Sequence, residues 1–130
     1  SPEGHILASA SADQTICLWE CANGVRQHLL RGHTAPVTAL AFSPDGNTLA
    51  SVDNDQTICL WDMQHGHLRG TLQGPAMPII ALVFTLDSTT LMGIGNDRSV
   101  WRWETSTDTA SSHRASTNNT DPQATAVGKR

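Results

Sequence analysis

The sequence predicts an all-β protein built from a repeated four-stranded antiparallel unit. Three observations carry that prediction. First, one phrase is written three times: D-Q-T-I-C-L-W-E at Asp13–Glu20, D-Q-T-I-C-L-W-D at Asp55–Asp62, and D-R-S-V-W-R-W-E at Asp97–Glu104. Trp19, Trp61 and Trp103 are therefore spaced by 42 residues, as are Asp13, Asp55 and Asp97. Second, the flanking sequence repeats with the same offset. Ser1–Leu30 matches Ser43–Leu72 at 15 of 30 positions, and Gly32–Asp62 matches Gly74–Glu104 at 11 of 31, which marks internal duplication. Third, each unit is a series of short apolar or β-branched runs cut by turn residues, and no helical period appears in the repeat region.

The elements follow in order within the central unit. Val37–Phe42, V-T-A-L-A-F, and its copy Ile79–Phe84, I-I-A-L-V-F, are nearly unbroken apolar runs, expected to be strands covered on both faces. S-P-D-G at Ser43–Gly46 is a turn, in which Pro presets φ and Gly takes the strained position. Thr48–Ser51 is the second strand, V-D-N-D a tight connection, and Thr57–Trp61 the third strand. Q-H-G turns the chain again into a fourth strand at His67–Leu72. Four short strands in a period of about 40 to 45 residues are the signature of a β-propeller blade. The reading is about two and a half four-stranded antiparallel blades forming a partial ring over residues 1–104. These divide into a partial blade at 1–31, a full blade at 32–73 and a degenerate last blade at 74–104 that ends after its third strand. Residues 105–130 hold ten Ser or Thr and no aromatic residue, and read as a disordered Ser/Thr-rich tail.

Composition narrows the function classes. The net charge of −4 offers no basic footprint for nucleic acid. No apolar run reaches the roughly 20 residues needed to span a bilayer. Cys17, Cys21 and Cys59 form no CxxC pair and read as free thiols in a reducing, cytoplasmic setting. There is no G-x-S-x-G elbow and no phosphate-binding glycine loop.

The motifs G-H at Gly32–His33, S-P-D-G at Ser43, A-S-V-D-N-D at Ala50 and L-W-D at Leu60, recurring in order and in phase, closely resemble the WD-repeat β-propeller family. The resemblance covers Ser1 to about Glu104. It implies that a His, a Ser or Thr, an Asp and a Trp form a structural hydrogen-bonded chain inside each blade. The matching set is His33, Ser51, Asp55 and Trp61. In the first unit Ser9, Asp13 and Trp19 match. In the third, Asp97 and Trp103 match, but Pro75 stands for the His and Gly93 for the Ser. The residue types are those of a hydrolase triad, yet they recur blade by blade with Trp at the end, so no catalytic residue is assigned. Trp101 and Arg102 replace the Cys and Leu of the other units. Two readings stand: a capping blade, or an anchor for a partner.

The resemblance further implies a non-catalytic protein–protein interaction scaffold with no cofactor. Its contact loops would hold Ala35, Pro36, Asn54, Gln14, Gln56, Met77 and Arg98, with Trp101 beside them. The expected partners are other proteins, the remaining blades of a longer parent propeller, or other copies of the chain; nucleic acid and membrane are not expected. The chain is expected to be the C-terminal part of a larger intracellular protein, by analogy one of bacterial signalling. The alternatives are a sensor or small-ligand-binding propeller attached to a nucleotide-binding or kinase-type enzyme, and a self-assembling fragment. His65 and His67 flank Gly66, but no third ligand is evident along the sequence, so no metal site is predicted.

Overall fold

The computed structural model describes residues 1–105 and 111–113. Eleven strands form: β1 (Ile6–Ala10), β2 (Ile16–Glu20), β3 (Arg26–Leu30), β4 (Val37–Phe42), β5 (Thr48–Asp53), β6 (Thr57–Asp62), β7 (His67–Gln73), β8 (Ile79–Phe84), β9 (Thr90–Gly95), β10 (Val100–Glu104) and β11 (Ser111–His113). They make three antiparallel sheets, β1-β2-β3, β4-β5-β6-β7 and β8-β9-β10-β11, with no helix among the described residues and no closed ring. No helix is long and apolar enough to cross a membrane.

Short loops turn the chain back between successive strands from β1 to β10. In the S-P-D-G turn the Ser43 hydroxyl donates to Asp45 Oδ1 at 2.6 Å, that oxygen accepts the amide of Asn47 at 2.9 Å, and Gly46 takes φ +76°. The corresponding T-L-D-S turn keeps this geometry without Pro or Gly. Thr85 and Thr89 donate to Asp87 Oδ1, and Ser88 occupies the left-handed region at φ +63°. Local side-chain hydrogen bonds thus replace glycine's freedom.

These turn carboxylates carry a pH signature. The hydroxyl of Ser43 holds Asp45 below its ordinary pKa of 3.8, Thr85 and Thr89 do the same for Asp87, Thr15 and Ser11 for Asp13, and Ser99 for Asp97. A depressed folded-state pKa means that the unfolded chain binds more protons near pH 3.8. The contribution is therefore present above that pH and lost as the pH falls through the lower folded values. Urea midpoints are expected to drop progressively below pH 3.8; a midpoint that rises on acidification there would contradict the assignment.

The core lies between sheets. Ile16, Leu18 and Leu30 of the first sheet pack on Val37, Leu49, Cys59 and Trp61 of the second. Ala50, Val52, Ile58, Leu60 and Leu72 on its other face pack on Ile79, Phe84, Leu91 and Trp103 of the third. The second sheet is covered on both sides, and every residue of β5 is buried.

Three expectations are corrected. The inner strands β4 and β8 are not covered on both faces: Thr38 is exposed, and Ile80 and Val83 are 61% and 54% exposed. Thr38 and Ile80 stand at the register shifts between Val37 and Ala39 and between Ile79 and Ala81, where a bulge leaves one residue out of the ladder. The third unit does not end after its third strand, because β11 pairs with β10 through Arg102↔His113, Trp103↔Ser112 and Glu104↔Ser111. Thr105, placed in the tail by composition, is buried; its amide donates to the carbonyl of Thr89, and its own carbonyl accepts from Arg69. The rest of the expected tail lies outside the described residues.

Candidate functional site: the blade network and the loop end

The second sheet assembles a closed polar chain inside the core. His33 lies just before β4, Ser51 and Asp53 on β5, and Trp61 on β6. His33 Nδ1 is 2.7 Å from Asp53 Oδ2, His33 Nε2 is 2.5 Å from Ser51 Oγ, and Trp61 Nε1 donates to Ser51 Oγ at 2.8 Å. One tautomer satisfies everything: Nδ1–H donates to the carboxylate, the hydroxyl donates to Nε2, and the indole donates to the hydroxyl.

The carboxylate is Asp53, not Asp55. The two occupy the same D-N-D turn, but only Asp53 stands two residues after Ser51 on one strand, so both side chains leave the same face of β5 toward His33. Asp53 also staples the turn, its Oδ1 accepting the amides of Asp55 at 2.9 Å and Thr57 at 3.1 Å. Asp55 is exposed beyond the strand end. Asp13 performs the stapling in the first sheet, its Oδ1 accepting the amide and hydroxyl of Thr15, and Asp97 accepts the amide of Ser99 in the third. The residues offset by 42 from Asp53 are Ser11 and Gly95. Trp19 Nε1 still donates to Ser9 Oγ at 2.9 Å, but that pair is exposed.

The third sheet builds a different link. Trp103 lies over Gly93, where a Cβ would stand 3.0 Å from its ring. The indole that finds a hydroxyl is Trp101, donating to Ser99 Oγ at 2.9 Å, and Ser99 in turn donates to Met77 Sδ at 3.7 Å. Trp101 and Met77, expected among the contact residues, are thus held in an internal network. Arg102 aligns with Leu60, which packs toward the following sheet. On β10 that direction meets no further described sheet, and Arg102 Nε is buried without a hydrogen-bond partner among the described residues.

Ser51, His33 and Asp53 share the order of contacts of a catalytic triad, but the arrangement cannot act as one. Ser51 is 0% exposed, and its oxygen already receives the Trp61 indole. Cys59, 3.8 Å from His33 Nδ1, is buried, and burial pushes its thiol up to about 12, so it stays protonated. No reacting atom can reach either nucleophile.

The loop residues gather at one end of the sheets. The pairs Val37↔Asp53 and Ile79↔Gly95 bring the loops at 31–36 and 74–78 beside the turns at 54–56 and 96–98. Backbone bonds tie them, from Asn54 N to Pro36 O and from Asn96 N to Pro78 O, both 3.0 Å. Gln14, Gln56 and Arg98 occupy the same left-handed turn position, with φ of 78°, 64° and 71°. Gln14, Asn54 and Arg98 are exposed and Pro36 is half-buried. Ala35 and Gln56 are not available: Ala35 is buried, and the Gln56 amide bridges Asn54 O at 2.7 Å and the amide of Ile79 at 3.3 Å. Burial of both was invisible in a reading by loop position.

The model of the family described as "WD domain, G-beta repeat" matches residues 1–20 and 24–62. Within its first 62 residues the chain therefore carries WD repeats. No curated protein matches the sequence significantly. WD repeats supply protein-interaction scaffolds in general, and other proteins are the partners such repeats take. The closed Ser51–His33–Asp53–Trp61 network agrees with the non-catalytic character of the WD-repeat fold.

At the opposite end of the second blade the expectation of no third metal donor is also corrected. Asp62 closes β6 and faces His67 across the ladder, so one carboxylate stands beside both histidines.

Proposed function

We propose that this WD-repeat chain is a non-catalytic scaffold whose protein partner docks on the end formed by the loops at 31–36 and 74–78 and the turns at 12–14, 54–56 and 96–98. The observation that carries this reading is the bonding of two exposed turns to the preceding loops, Asn54 to Pro36 and Asn96 to Pro78, at the end of two sheets packed on each other. Exposed Gln14, Thr34, Asn54, Asp55, Ala76, Asn96 and Arg98 are thereby displayed from a frame that resists deformation. The surface is mixed in charge, with Asp55, Asp97 and Arg98 all exposed at this end, which suits a polar protein surface better than a polyanion. The free cysteines support a cytoplasmic setting. The near identity of the repeats supports a place in a larger intracellular signalling protein, by family analogy.

A photocrosslinking residue at Asn54 or Arg98 is expected to give covalent protein adducts in the source cells, while the same residue at Asn47, on the opposite end, is not. Adducts confined to Asn47, or none at either end, would overturn the assignment.

A further inference from the structure

We infer that the hairpin between β6 and β7 of the second blade is a binding site for a divalent transition-metal ion of the zinc class, held by Asp62, His65 and His67. The donor atoms of these three residues all lie within 4.8 Å of one another. Asp62 Oδ2 is 2.9 Å from His65 Nδ1 and 3.7 Å from His67 Nε2. Zinc binds imidazole nitrogen and carboxylate oxygen at about 2.0–2.2 Å. Donors around such an ion are separated by distances of this order, so small side-chain rotations would close the set.

The residues around the donors divide their work as a metal site requires. Asp62 uses Oδ1 for the turn, accepting the amides of Gln64 at 2.8 Å and His65 at 3.3 Å, which leaves Oδ2 turned toward the imidazoles. His67 Nδ1 lies 3.4 Å from the carbonyl of Leu68, so that nitrogen is directed to the backbone and Nε2 to the site. An imidazole anchored through its other nitrogen is the usual condition of a metal ligand. The two rings stack at 5.6 Å between centroids, with planes 13° apart. Gly66 between them takes φ +73°, and a Cβ there would lie 2.5 Å from His28 Nδ1 of the first blade. His28 thus packs on the backbone that spaces the two ligands.

The histidines are not needed to make the turn. The equivalent hairpin of the first blade reads E-C-A-N-G-V, with Asn23 and Val25 at the positions of His65 and His67. It closes with the same backbone bond, Gly24 N to Glu20 O at 2.8 Å, as Gly66 N to Asp62 O at 2.7 Å. Two imidazoles are thus added beside the carboxylate of a hairpin that closes without them. Two nitrogens and one oxygen suit Zn²⁺, Ni²⁺, Co²⁺ or Cu²⁺ rather than Ca²⁺ or Mg²⁺, which take oxygen donors. With the side chains of His65 and His67 61% and 63% exposed, the remaining coordination positions face solvent.

The test is calorimetric titration of the untagged chain with Zn²⁺, alongside NMR of the imidazole ring signals. One equivalent is expected to bind, shifting the ring signals of His65 and His67 but not that of buried His33. His65→Ala and His67→Ala should each weaken binding by about tenfold or more, while Mg²⁺ gives no response. Both substitutions lie on an exposed turn, so circular dichroism should match that of the parent. Binding that survives the double substitution unchanged, ring shifts elsewhere only, or no saturable binding would each overturn the site.

Discussion

Replacing Asp53 with alanine is expected to cost the fold about 3 kcal/mol, the scale of breaking a buried charged or hydrogen-bonded pair from one side. Asp55→Ala, two residues on, should change stability by less than about 0.5 kcal/mol, as for other exposed sites. Asp53 is 1% exposed and serves three groups at once, His33 through Oδ2 and the amides of Asp55 and Thr57 through Oδ1. Its removal leaves an imidazole N–H and two amides without their acceptor. Asp55 has no such dependents. Urea denaturation followed by tryptophan fluorescence separates the two, since Trp61 reports on the same network. Equal losses for the two substitutions would mean that the turn rather than the buried chain is being disturbed. A larger loss for Asp55→Ala would reverse the assignment.

Gly93→Ser is the second large effect, and its sign opposes the repeat pattern. Serine stands at the equivalent positions, Ser9 and Ser51, so pattern alone recommends it. The packing argues otherwise. A Cβ at Gly93 would meet Trp103 at 3.0 and 3.1 Å and Ile79 Cγ2 at 3.4 Å, all inside a buried cluster. Neither the ring nor β8 can withdraw without opening the interface with the second sheet. A loss of about 1–3 kcal/mol is expected, as for other overpacked cores. The restored hydroxyl would gain little, because Pro75 supplies no imidazole and Gly95 no carboxylate. The same denaturation measurement decides it, and a variant more stable than the parent would show that Trp103 can return to the geometry of Trp61.

Periodicity along the chain was enough for much of this. The 42-residue repeat, the apolar runs and the turn residues determined the repeating sheets, their order and the strands of the central blade to within two residues, because those depend on neighbours a few residues apart. The G-H, S-P-D-G, A-S-V-D-N-D and L-W-D motifs, recurring in order and in phase, likewise pointed to WD repeats. What depends on contacts between distant segments was decided only by the tertiary structure. Asp53 and Asp55 are equivalent as letters in D-N-D; which one meets His33, 20 residues away, follows from the direction of a side chain at the end of β5. Gln56, Met77 and Trp101 read as loop or anchor residues, whereas in the fold the Gln56 side chain accepts the amide of Ile79, and Met77 and Trp101 are both hydrogen-bonded to Ser99. Asp62 read as the last letter of a repeat motif until the register of β6 and β7 set it opposite His67. Sequence spacing settles which residues share a strand and a face. Only the folded chain settles which face meets which, because burial and register are properties of pairs of segments rather than of either one.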